Sequence, residues 1–133
     1  MATISAVEVR SPSYQGFQIL HTAFTVAPIF AGADKFFHLL TNWDKYCVPA
    51  IPAMIGLSVH SFMLIVGVVE IIAGLLVAVA PRIGAWVVTA WLCGIIVNLL
   101  LIPGFLDIAL RDFGLALGAL ALARMSEEFA RNR

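Results

Sequence analysis

Charge is scarce in this chain. Asp, Glu, Lys and Arg make up 12% of its 133 residues, about half the usual share for a soluble domain. The formal net charge is zero, which leaves no basic footprint for a nucleic acid. Cysteine is nearly absent too. Cys47 and Cys93 stand far apart, so there is no CxxC pair, no disulfide framework and no cysteine-rich metal cluster. No nucleophile–base pair, phosphate-binding glycine loop or paired catalytic acid stands out. Low-complexity stretches and a separate soluble domain are also lacking. Residues 1–16 are mostly polar, and the apolar run that follows is too long for the h-region of a cleaved signal. That run is expected to serve as its own uncleaved insertion signal.

What the chain has is apolar length. Hydrophobic residues make up 62% of it, and the mean hydropathy is +1.00. This places it among polytopic membrane proteins. The pattern predicts four spanning helices at about 17–41, 60–80, 84–102 and 106–124, preceded by a polar tail over 1–16 and followed by a cytoplasmic tail over 125–133. Pro81-Arg82-Ile83-Gly84 and Pro103-Gly104 read as tight turns. Turns that short force antiparallel neighbours, so the expected fold is all-α, an integral membrane up-down four-helix bundle. The long connection, 42–59, carries Trp43, Tyr46, Pro49 and Pro52 among apolar residues and is expected to lie in the membrane interface.

Four spans put both termini on one side. That side carries Arg10, Arg82, Arg124, Arg131 and Arg133. The other has Lys45, with Lys35 and Arg111 just inside the adjoining spans. The positive-inside rule then predicts cytoplasmic termini and an outward connection, where Cys47 meets an oxidising compartment.

Glu70 is the most informative residue. It stands near the middle of the apolar run from Phe62 to Ala80. A charged side chain at the centre of a spanning helix costs roughly 2.5–3.5 kcal/mol on insertion scales and is usually kept for a reason. Helical spacing puts the other polar residues on small-residue faces. Ala23, Ala27 and Ala31 align with Asp34 and His38. Gly67 and Gly74 flank Glu70, while Trp91 and Gly94 share a face with Asn98. Asp107, Arg111, Gly114 and Gly118 form a fourth stripe. Small residues mark close approach between membrane helices, so Ala27, Ala31, Gly67, Gly74, Gly94, Gly114 and Gly118 are expected to pack.

By depth, the polar groups predict a pocket opening outward, with Glu70 at its floor. His38, His60 and Asp107 would form the rim, and Asp34, Asn98 and Arg111 would sit deeper. Lys35 and Asp112 lie beside the stripe, placed to close ion pairs. Asp34, Glu70, Asp107 and Asp112 outnumber Lys35 and Arg111, which calls for a protonated carboxyl or a charged histidine. Such a group suits proton handling, or hydrogen bonding to a carbonyl-bearing ligand such as a quinone head group. The same polar pairs can also simply hold helices together. His38, Cys47 and His60 carry the right donors for copper or zinc, but their spacing matches no closed metal motif. Haem b would need two axial side chains at matching depth on facing helices, which His38 and His60 could supply geometrically. Pro28 is expected to kink the first helix. His21 reads as interfacial, and Cys93 as a small buried apolar residue. Four short spans with no visible internal repeat make a poor alternating-access transporter.

Three segments resemble the DoxX-like family of small bacterial and archaeal four-helix membrane proteins. They are Gly32-Ala-Asp34-Lys35-Phe, Gly67-Val-Val-Glu70-Ile-Ile-Ala-Gly74-Leu-Leu and Arg111-Asp112-Phe-Gly114-Leu-Ala-Leu. The resemblance covers nearly all of the chain after residue 16. It implies a four-span bundle in the cytoplasmic membrane, with Lys35, Glu70, Arg111 and Asp112 at the family's polar positions. The better-known relatives are membrane subunits of a thiosulfate:quinone oxidoreductase, and most members have no assigned activity. This chain lacks the cysteine pair of a dithiol mechanism and any substrate-oxidising soluble domain. Two functions are therefore expected: a redox-associated subunit with a pocket for a quinone or other small molecule, or a non-catalytic accessory subunit of a larger membrane complex. A homo-oligomer fits the first of these, while recovery only as a monomer or homo-oligomer would count against the second.

Overall fold

The computed structural model describes residues 11–40, 42–102 and 104–130. Arg10, Pro103, Arg131 and Arg133, which entered the sequence argument, lie outside the described residues. The described residues form helices and connections, with no strand among them.

The first helix, α1, runs from Pro12 to Phe37. It starts earlier than residue 17 because Ser11 Oγ accepts the Tyr14 N–H at 3.2 Å and Pro12 takes the first helical position. It passes through Pro28 unbroken and stops at His38, whose φ of +54° is left-handed. A 3₁₀ turn follows at Trp43–Tyr46, then a short helix, α2, at Ala50–Met54. Helix α3, Val59–Val79, is capped by Ser58, whose Oγ accepts the Ser61 N–H. Ala80 ends α3 and begins α4, Pro81–Leu100, with Pro81 at its first position. That corner is tight: a Cβ on Gly84 would sit 2.6 Å from the Val77 backbone. Between α4 and the last helix, Gly104 turns the chain at φ +99°. Helix α5 runs from Leu106 to Phe129, five residues beyond the expected end, because Ala123, Ser126 and Ala130 are buried in the core there.

Three helices, α1, α3 and α4, are long and apolar enough to cross a membrane. At 1.5 Å per residue even the 20-residue α4 reaches about 30 Å, the thickness of a hydrocarbon core. Helix α5 differs. Its uncharged stretch between Asp112 and Arg124 covers only residues 113–123, about 16 Å of helix.

Helix α1 packs mainly on α3, and α4 mainly on α5. The first pair is antiparallel: Gly32 faces Gly67, and the His21 Nε2 atom lies 2.8 Å from the Val77 carbonyl oxygen. Bare backbone permits this, since a Cβ on Gly67 would come within 2.7 Å of the Gly32 carbonyl. The core gathers at the end where the termini lie. Phe17 and Phe24 of α1, Val77 of α3, Val88 of α4 and Leu122 of α5 meet there. At the opposite, loop end the helices separate around a cavity.

Candidate functional site

The cavity holds about 740 Å³ and is bounded by all four long helices and the segment around Trp43–Ile51. It exists because of which residues face it. Ala23, Ala27 and Ala31 of α1, Gly94 of α4 and Gly114 of α5 turn small side chains inward. No neighbouring helix closes on them. A Cβ placed on Gly94 or Gly114 meets nothing within 4 Å. The small-residue stripes read from the sequence thus divide into two classes. Gly67 and Gly74 bring α3 against α1, and Gly118 sits on the Phe24 ring. Ala27, Ala31, Gly94 and Gly114 line open space instead, because α1–α3 and α4–α5 pair off and leave a gap between the pairs.

Glu70 lies on the cavity wall in an ion pair with Lys35, Nζ to Oε1 at 2.6 Å. Both side chains are buried, 4% exposed for Lys35 and 10% for Glu70. Geometry explains the pairing across nearly a turn of helix. Side chains lean toward the N-terminus of their own helix, so in an antiparallel pair the two lean toward each other. The Lys35 ammonium also sits 4.1 Å from the centre of the Trp43 ring, a cation–π contact. On the facing wall Asp112, buried, accepts from Nε and Nη2 of Arg111 at 3.2 and 3.1 Å, both to Oδ1. Arg111 itself is 62% exposed at the side chain. Asp112 lies near enough to Glu70 for the two carboxyls to interact. The cavity wall therefore carries two cations and two carboxyls.

The other polar residues have different work. Asp34 does not line the cavity. Its carboxylate accepts the Leu39 and Leu40 N–H groups and the Trp43 indole N–H at 2.7 Å, which folds the chain back after α1. Asp107 is exposed on the first turn of α5 and is also absent from the wall. The acid excess expected from the sequence disappears once these two are set aside. Asn98 lines the cavity and clamps the loop over it: Oδ1 accepts the Val48 N–H at 2.9 Å, and Nδ2 donates to the Tyr46 carbonyl. Tyr46 in turn meets the Phe105 ring edge-on.

His38 and His60, expected at the rim, do not line the cavity: their rings stack on each other at 5.7 Å between centroids, and His60 Nδ1 lies 3.0 Å from Asp44 Oδ2. Two stacked imidazoles do not present nitrogens to one metal or haem iron. Among the described residues no group of three or more His, Cys, Asp or Glu is placed to hold a metal ion. Cys47 is buried against the cavity. Burial, and secondarily the nearby Asp44 carboxylate, push its thiol pKa up. Cys93 is exposed on the outside of α4, not buried. Trp91 stands on the cavity wall with its indole N–H buried and unpartnered.

No protein family, curated protein or solved structure matches this chain. The site is therefore described by its own geometry. Its main addition to the sequence reading is Trp43, which joins Asp34 to Lys35. Trp43 stands nine residues beyond Asp34 in an irregular segment, where no periodic pattern marks it.

Proposed function

We propose that this is a DoxX-like protein of a bacterial or archaeal cytoplasmic membrane, a four-helix bundle that holds a quinone or other small molecule in its interhelical cavity. In this reading α5 is the fourth span, with Asp112 buried against the other helices and paired to Arg111 near one end. The termini face the cytoplasm and the 38–58 loop faces outward. Arg82 and Arg124 at one end, against Lys45 at the other, support that orientation. Lys35 and Glu70 engage the polar part of the ligand, and a redox-associated role follows if that ligand is a quinone.

One observation carries the reading: the buried ion pair that joins α1 to α3 also lines an open cavity. Ionisable groups within a membrane bundle are costly and mark ligand or proton sites. Apolar side chains of the same volume would fill the gap at least as stably. The test is to purify the chain from native membranes in mild detergent and identify the co-purifying small molecules by mass spectrometry and absorbance. A bound molecule lost in Glu70→Gln, with the helical signal unchanged, is the expected result. A ligand-free chain recovered in a stoichiometric hetero-complex would replace this reading with that of an accessory subunit.

A further inference from the structure

The lining of the cavity is sorted along its length, and the four helices agree on the direction. Toward the loop end lie Lys35, Glu70, Arg111, Asp112 and Asn98, under Trp43 and Tyr46. Toward the termini end the wall is wholly apolar, formed by Leu20, Phe24, Ala27, Ala73, Val88 and Leu92. Below that, Phe17, Val77 and Leu122 close the core.

Resting on the reading of this cavity as a small-molecule site, we infer that its occupant is a single-chain amphiphile with an uncharged polar head. The head lies at the two ion pairs and the tail runs toward the termini end. Three observations carry this. The first is shape. Glu70 lies level with Gly32, since a Cβ there would stand 3.2 Å from the Glu70 Cβ. From Gly32 to Leu20 at the far end is twelve residues of α1, about 18 Å of apolar wall at the helical rise. A compact molecule leaves that length empty; an extended chain fills it.

The second observation is the wall. Ala23, Ala27, Ala31 and Gly94 present no branched side chain to interrupt a chain lying along them. The third is charge. Lys35 with Glu70 and Arg111 with Asp112 sum to zero. A charged head would add an uncompensated charge beside these pairs, whereas a hydroxyl or carbonyl adds none. It can also hydrogen-bond to Arg111, whose exposed guanidinium engages only one Asp112 oxygen.

The test is photolabelling of the full chain in nanodiscs with two uncharged long-chain alcohols, one carrying a diazirine beside the hydroxyl and one at the tail end. The expected result is tail-end label on residues 20–28, 73 and 88 and head-side label on residues 31–46 and 108–115. Excess unlabelled alcohol should remove both, and at equal concentration in the lipid a competitor longer than the slot should compete no better than one that matches it. Ala27→Phe, or Ala23→Leu should that variant not fold, should cut tail-end labelling at least tenfold. Reversed labelling overturns the orientation. So does a tail-less benzoquinone that competes as well as the long alcohols, although the small-molecule reading then stands. Stronger competition by a matched alkyl carboxylate or alkyl ammonium overturns the uncharged head. Labelling that no competitor removes is partition into bulk lipid, and it overturns both the inference and the reading beneath it.

Discussion

Lys35→Met should destabilise the fold by about 3–5 kcal/mol, the usual loss when one partner of a buried ion pair is removed. The structure sets the scale. At the observed 2.6 Å and an effective dielectric constant near 20, the attraction between the two charges is about 6 kcal/mol before desolvation is subtracted. Loss of the cation over Trp43 adds about 0.5–2 kcal/mol. Glu70→Leu should act in the same direction, leaving a buried ammonium with only the Trp43 face. The double variant Lys35→Met/Glu70→Leu removes both charges at similar volume and should return to within about 1 kcal/mol of the parent. Reversible unfolding of the purified chain in mixed micelles, followed by far-UV circular dichroism, measures all four proteins. A Lys35→Met variant within 1 kcal/mol of the parent would falsify the buried pair. A double variant as unstable as the two singles combined would show that the residues act through other partners.

Other expectations test the surrounding architecture. Gly32→Ala should lose 2 kcal/mol or more, because its Cβ would collide with the Gly67 carbonyl. Gly114→Ala, facing open space, should be neutral or gain up to about 1 kcal/mol from helix propensity; thermal unfolding of the pair decides whether the cavity lies where it is drawn. Asn98→Asp keeps the acceptor for Val48 but sets an oxygen against the Tyr46 carbonyl. The loop should lift and become sensitive to protease within 42–48, and unchanged cleavage would argue against the clamp. In a Cys93→Ser background Cys47 should react with maleimide slowly in the folded protein and rapidly once the chain is unfolded, since it is buried and burial pushes its thiol pKa up. Its raised pKa means the folded state holds that proton longer than the unfolded state. Stability should therefore fall as pH rises above the ordinary thiol range, and Cys47→Ala should flatten that slope.

Hydropathy and helix signals are local, and they made much of the fold legible. The apolar runs around Glu70 and from Gly84 to Ile102 identify helices without reference to any partner, although Pro81–Gly84, read as a tight turn, forms the first turn of α4 instead. Boundaries moved where a local device or a burial intervened, as with Ser11–Pro12 at the start of α1 and buried Ser126 near the end of α5. The fourth span was less clear than the periodicity implied. Its charges sit close to both ends, and an uncharged stretch of about 16 Å cannot by itself cross the hydrocarbon.

By itself, then, the sequence determined an all-α reading with four spans, of which the structure shows three as helices apolar enough to cross a bilayer, and the presence of buried-range charges that have to be compensated. Only the tertiary structure decided which charges meet. Asp34 and Lys35 are neighbours in sequence, about 100° apart around the helix. The rotation of α1 against α3 sends Lys35 to Glu70, while Asp34 binds the returning loop. Glycines of equal appearance met different fates for the same reason: Gly67 touches a facing backbone, and Gly114 faces a void. Helix rotation and loop path are set by packing between residues far apart in the chain, which no local pattern records.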